Sequence, residues 1–141
     1  MHYIHTQRIP REIVAAGALA GLVAGFTVPG RLARLALWGI FGATAATFRS
    51  LTVEVDDTDV KLQFGGGLIK RSFPLECIRS VSQVKTTLLQ GWGMRCLGDG
   101  WLYNIYGLDA VELQLHSGKR ALIGTDESQR LAEAISEKIG R

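Results

Sequence analysis

The feature that most constrains this chain is a pair of apolar segments near its start. Ile13 to Gly30 is eighteen residues without a charge. At 1.5 Å per residue a helix of that length reaches about 27 Å, close to a bilayer core of about 30 Å. Pro29-Gly30 then favours a turn. A second uncharged stretch of fourteen residues runs from Leu35 to Phe48. Fourteen is short for a span, but Arg31 and Arg34 stand beside the turn, where their side chains can snorkel to headgroups. Trp38 lies near enough to that interface to anchor it. The expectation is a helical hairpin over residues 13–49 that spans the membrane twice. A cleaved signal peptide or single anchor, and a helical pair buried in a folded domain, are the competing readings.

Charge follows the same division. Residues 1–49 carry Arg8, Arg11, Arg31, Arg34 and Arg49 against Glu12, a net of +4. The remaining residues carry eleven Lys/Arg against twelve Asp/Glu, a net of −1, which gives the chain its total of +3. The basic excess therefore flanks the apolar segments and argues against a nucleic-acid surface. The arginine distribution slightly favours both termini in the cytoplasm. Two cysteines, Cys77 and Cys96, are too few for a disulfide scaffold or a four-cysteine zinc site. As buried small hydrophobes they fit a reducing compartment. The expected location is a membrane that the chain crosses twice.

Within the first segment Gly17, Gly21 and Gly25 recur every four residues. Gly39 and Ala43 repeat that spacing in the second. Small residues at this interval let a neighbouring helix approach closely. The neighbour is either the other helix of the hairpin or a second copy of the chain.

After Arg49 the hydrophobic period changes to two. Leu51, Val53 and Val55 alternate with polar residues, as do Val60, Leu62 and Phe64. Asp57-Thr58-Asp59 and Gly65-Gly66-Gly67 read as turns. Further strands are expected over 68–73, 78–84, 101–106, 110–116 and 119–124. Asp126 reads as a helix N-cap, and Leu131, Ile135 and Ile139 form one apolar stripe behind it. Residues 1–12 form a tail, and 50–141 a domain of seven strands and one terminal helix.

The order of these segments resembles the bacterial pleckstrin-homology-like domain, in small membrane-anchored members. The resemblance covers roughly residues 50–139. It is carried by Leu51-Thr52-Val53-Glu54-Val55, Phe64-Gly65-Gly66-Gly67-Leu68-Ile69, Phe73-Pro74-Leu75-Glu76-Cys77-Ile78, Gly91-Trp92-Gly93-Met94-Arg95, Ala110-Val111-Glu112-Leu113 and Ile123-Gly124-Thr125-Asp126. It implies a seven-stranded barrel capped by the C-terminal helix, a binding or assembly module rather than an enzyme, and a multi-pass protein of the bacterial inner membrane. One departure matters. Phosphoinositide-binding relatives place basic residues at the first hairpin turn, where this chain has Asp56, Asp57 and Asp59. Three carboxylates there repel a phosphorylated headgroup.

Catalytic chemistry finds no candidate set. His116 is the only histidine in the domain, which leaves no serine–histidine–aspartate arrangement. Gly65-Gly66-Gly67 lacks the Gly-Lys-Ser/Thr ending of a phosphate loop. His2 and His5 have no further ligands nearby for a metal. No catalytic residue, cofactor or metal is expected. The strongest contact candidates are Trp92, Arg95, Trp101 and Tyr103, since tryptophan, tyrosine and arginine are common interface anchors. Trp92 and Trp101 can equally cover an open end of the barrel. The expected function is a non-enzymatic, membrane-anchored interaction or assembly module, with a homo-oligomer or an unidentified protein as partner. The alternative is lipid or small-ligand sensing through Lys70, Arg71 or Arg95.

Overall fold

The computed structural model of the chain describes residues 2–87 and 93–140. Its first strand, β1 (Tyr3–Arg8), lies in the segment expected as a tail. β1 pairs antiparallel with β2 (Ser50–Val55), from Tyr3 opposite Val55 to Arg8 opposite Ser50. The two strands form a hairpin whose connection is residues 10–48. That connection holds α1 (Arg11–Phe26) and α2 (Arg31–Thr47). Ile9 N–H donates to the Arg49 carbonyl at 3.2 Å and closes the neck.

The helices correct the expectation of a transmembrane hairpin and, with it, of a multi-pass inner-membrane protein. Among the described residues, no helix is long and apolar enough to cross a membrane. α1 has 16 residues and α2 has 17, about 24 and 26 Å at 1.5 Å each. The eighteen-residue uncharged window overstates the first helix. Its last four residues, Thr27 to Gly30, make the turn. α1 starts instead on Arg11 and Glu12, and α2 on Arg31 with Arg34 one turn later. Arg34 does not reach away from the turn. Its Nε donates to the Gly25 carbonyl at 3.2 Å, and its guanidinium lies 5.3 Å from the Phe26 ring centre.

The β part forms two sheets rather than one closed seven-stranded barrel. β1, β2, β3 (Asp59–Phe64) and β4 (Ile69–Pro74) make an antiparallel sheet in sequence order. A short 3-10 turn, Leu75–Cys77, leads to the second sheet. That sheet has the order β5 (Ile78–Lys85), β8 (Asp109–Leu115), β9 (Arg120–Gly124), β7 (Gly100–Asn104) and β6 (Gly93–Cys96). β7 and β9 are parallel, from Gly100 opposite Arg120 to Tyr103 opposite Ile123. A simple meander allows no parallel pair, so the chain from β7 must cross the end of β9 to start β8.

Asn104 and Gly124 make that crossing. Asn104 is fully buried. Its Nδ2 donates to the Gly107 carbonyl at 3.0 Å, and its Oδ1 accepts from Tyr106 N–H at 3.2 Å. A side chain at Gly124 would collide with the Asn104 carboxamide. Gln7 of β1 reaches the same loop and donates to the Tyr106 carbonyl at 3.1 Å.

The period-two residues face inward as their spacing predicts. Leu51, Val53, Val55, Val60, Leu62 and Phe64 are buried in one sheet, and Val111, Leu113, Ala121 and Ile123 in the other. Full burial of such a side chain stabilises by about 1.5–3 kcal/mol. The terminal helix α3 (Ser128–Ile139) adds Leu131 and Ile135 to this core and packs on β5 and β8. Asp126 does not cap it. The helix starts later, with Glu127 at the N-cap position, and Glu127 N–H donates to Thr125 Oγ1 at 3.1 Å. Asp126 is held by His5 instead.

Candidate functional site

The sequence-derived contact residues do not form one surface. Trp92 lies outside the described residues. Arg95 is exposed on β6 and pairs with Leu102, whereas Trp101 on β7 pairs with Cys96. Residues paired across antiparallel strands share a face, and successive residues alternate. Arg95 and Trp101 therefore project from opposite faces of the β6–β7 ribbon. Trp101 is 41% exposed. Tyr103 is buried, with its ring 6.4 Å from Phe64 and 5.9 Å from Phe73. Burial raises its phenol above the ordinary value of 10.0. It belongs to the core, not to a contact surface.

The cationic candidates are also apart. Lys70 and Arg71 are adjacent on β4 and point to opposite faces, and Arg95 is in the other sheet. The acidic turn beside β3 is internally satisfied. Asp56 Oδ1 accepts from the backbone N–H groups of Thr58 and Asp59 at 2.8 and 2.7 Å. Its Oδ2 accepts from Lys61 Nζ at 2.6 Å. The Lys61 bond and these backbone donors hold the carboxyl far below the usual carboxylate range. Asp57 pairs with Lys138 near the end of α3, which lowers its pKa. Asp57 thus joins the β2–β3 hairpin to the terminal helix, whereas Asp56 braces the turn itself.

A polar cleft of about 370 Å³ lies between β1 and α3. Tyr3 Oη donates to Glu127 Oε2 at 3.0 Å, and His5 Nε2 stands 2.6 Å from Asp126 Oδ1. Burial first, then Glu127, raises the Tyr3 phenol well above its ordinary 10.0. His2 contacts Glu54 at 2.9 Å, away from His5's partners. Among the described residues no group of three or more His, Cys, Asp or Glu side chains is placed to hold a metal ion. Cys77 and Cys96, expected as buried, are both exposed.

Among the described residues, most of the exposed large apolar side chains are on the helical hairpin. Val14, Leu19, Leu22, Val23, Phe26, Leu32, Leu35, Ile40 and Phe41 are 45% to 83% exposed. α1 and α2 pack chiefly on each other and join the β sheets at the neck. There the Phe48 ring stands 5.4 Å from Phe64. Gly65, at φ +59°, lets the β3–β4 turn approach the Ala46 and Thr47 carbonyls.

The glycine spacing resolves into two roles. A Cβ on Gly21 would stand 2.9 Å from the Phe41 ring, and one on Gly25 would overlap the Trp38 indole. These two glycines serve packing within the chain. Gly17 and Gly39 would meet nothing within 4 Å. Ala43 is exposed, and its carbonyl accepts from Thr47 Oγ1 at 2.8 Å. Between the helices runs an apolar groove of about 610 Å³. Its α1 wall is Val14, Gly17, Ala18, Gly21 and Leu22, three and four residues apart. This is the stripe of a helix that packs against another helix. Trp38 Nε1 is buried beside the groove without a hydrogen-bond partner.

Comparison of the sequence with family models and with curated proteins finds no match.

Proposed function

We propose that the chain is a non-enzymatic interaction module whose contact surface is the α1–α2 hairpin, held out from a two-sheet body. The supporting observation is the set of large apolar side chains exposed on the two helices, of which Val14, Leu22, Ile40 and Phe41 line one groove. A monomer rarely leaves a contiguous apolar patch above a few hundred Å², because burying it lowers the free energy by about 25 cal/mol per Å². The body acts as a rigid base. β1 and β2 grip both ends of the hairpin at the Arg8–Ser50 pair. The pleckstrin-homology-like order of segments over residues 50–139 is in keeping with a binding module.

Native electrophoresis of the tagged chain in clarified extract, beside a Leu19→Lys/Leu35→Lys variant, tests this reading. A complex formed by the parent chain and lost in the variant supports it. Migration of both as a single free chain overturns it. Circular dichroism of the variant must retain the β signal, since both positions are exposed and remote from the core.

A further inference from the structure

We infer that the cleft between β1 and α3 is a second binding site, which takes an extended basic peptide as an added strand on the free edge of β1. This site is separate from the helical hairpin and does not depend on the reading of that surface.

Three observations support it. The first is the edge. β1 ends its sheet, with β2 as its one neighbour among the described residues. Ile9 N–H donates to the carbonyl of Arg49, the residue that continues the register opposite it. In an antiparallel pair, directly opposed residues exchange hydrogen bonds at every second position. Tyr3, His5 and Gln7 therefore direct their backbone groups to β2, while Ile4, Thr6 and Arg8 direct theirs outward. The Thr6 and Thr52 hydroxyls, 2.8 Å apart, fit this phase, because side chains stand closer at the unbonded pairs. Among the described residues, the outward groups of Ile4 and Thr6 have no other backbone partner. Such a row of N–H and C=O groups is a template for another strand.

The second is the position of the cleft. His2, Tyr3, Ile4 and His5 form its β1 side. Tyr3 and His5 project to one face of the sheet, and Ile4 to the other. A cleft reached by successive residues of a strand lies along its edge rather than on either face. The far wall is α3, where Glu127, Arg130, Ala134 and Glu137 follow at helical spacing along one side. At 1.5 Å per residue this wall is about 15 Å long, room for about four or five extended residues. The contacts of Tyr3 with Glu127 and of His5 with Asp126 tie the two walls together at one end. A peptide laid between an edge strand and a helix gains affinity from main-chain bonds and specificity from its alternate side chains.

The third is charge. Glu127, Glu133 and Glu137 line the cleft against Arg130, three negative charges to one positive, or −2 with the histidines neutral. Glu133 and Glu137 are exposed. Lysine or arginine at every second position of the added strand complements this wall, and acidic side chains there are repelled.

The test titrates the full chain with a short fluorescein-labelled peptide of alternating valine and lysine, beside its valine–glutamate counterpart. Fluorescence anisotropy should show the lysine peptide binding at least tenfold more tightly. Amide hydrogen exchange should show Ile4 and Thr6 protected about tenfold when that peptide is bound. Thr6→Pro removes one outward N–H and leaves the bonds to β2 in place, since proline is tolerated on a strand edge. It should weaken binding about tenfold, while protection of the Gln7 amide reports that β1 stays paired. Should Thr6→Pro release β1, Glu133→Lys/Glu137→Lys decides instead. Both residues are exposed, so α3 keeps its packing, and the preference should turn to the glutamate peptide. An unchanged preference in that variant overturns the inference. So does failure of the lysine peptide to bind, or equal binding of the two peptides. Binding that leaves exchange at Ile4 and Thr6 unaltered also overturns it, and assigns the peptide to another surface. None of these outcomes bears on the hairpin reading.

Discussion

The Trp38 indole occupies the space that a side chain at Gly25 would need. This contact, repeated one turn away by Phe41 on Gly21, sets the distance between α1 and α2. Gly25→Ala should therefore push the helices apart at the cost of an overpacked contact, about 1–3 kcal/mol. Gly17→Ala should stabilise α1 by about 0.5–1 kcal/mol, because its Cβ meets nothing and alanine is the better helix former. Thermal melting followed by the helical circular-dichroism signal separates the two. Equal effects at positions 17 and 25 would contradict the packing.

Asn104 and Gly124 should be energetically coupled. Asn104→Ala removes the side-chain hydrogen bonds to Tyr106 N–H and the Gly107 carbonyl, which costs about 1–3 kcal/mol. Gly124→Ala forces a methyl group into the carboxamide and should cost about as much. The double variant removes the obstacle to that methyl. Its loss in chemical denaturation should fall short of the sum by about 0.5–3 kcal/mol. Simple additivity would mean that the two residues do not share the crossing.

Acid should weaken the β2–β3 turn and its join to α3. Asp56 and Asp57 both have carboxyls held below the ordinary 3.8 by their lysine partners. A lowered folded-state value stabilises the folded form above the unfolded value near 3.8. That contribution is lost as the pH falls through the lowered folded values. Denaturation midpoints recorded at decreasing pH should drop below about pH 4. Asp57→Asn should flatten part of that drop, because it removes a titrating group. An unchanged acid profile in this variant would show that the Lys138 contact contributes nothing.

Alkali should loosen β1. The Tyr3 phenol is raised by burial and by Glu127, so its neutral form belongs to the folded state. This stabilisation is complete below the unfolded value near 10 and declines as pH rises toward the folded value. Tyr3→Phe keeps the ring but drops the hydrogen bond to Glu127. It should cost about 1 kcal/mol at neutral pH and reduce the alkaline dependence. Amide hydrogen exchange across Thr6 and Gln7 would report the loosening directly. Protection there that Tyr3→Phe leaves unaltered would detach β1 from this contact.

Much of the fold was legible in residue spacing. The alternation of Leu51, Val53 and Val55, and of Val60, Leu62 and Phe64, identified two strands and their buried face, because a sheet with one covered face demands period two. The stripe of Leu131 and Ile135 marked α3. β1 carried no such mark. Its inward residues are Tyr3, His5 and Gln7; all three are held by hydrogen bonds, and of them Tyr3 alone packs on the apolar core. Its partner β2 also lies beyond the whole helical hairpin.

The sequence by itself determined where the helices and most strands form, β1 and β6 excepted, that two apolar helices are joined by a Pro-Gly turn, and that small residues recur along them. Tertiary structure decided the rest. It decided that the uncharged window loses Thr27 to Gly30 to the turn, and among the described residues no helix is long and apolar enough to cross a membrane. It decided that Gly21 and Gly25 serve the hairpin while Gly17 and Gly39 remain open. It placed β9 between β7 and β8, a choice made by the fit of Asn104 to Gly124. Spacing records which way a side chain points along its own element. Which neighbour fills the space beside it depends on contacts between residues far apart in the chain, and no local period encodes those.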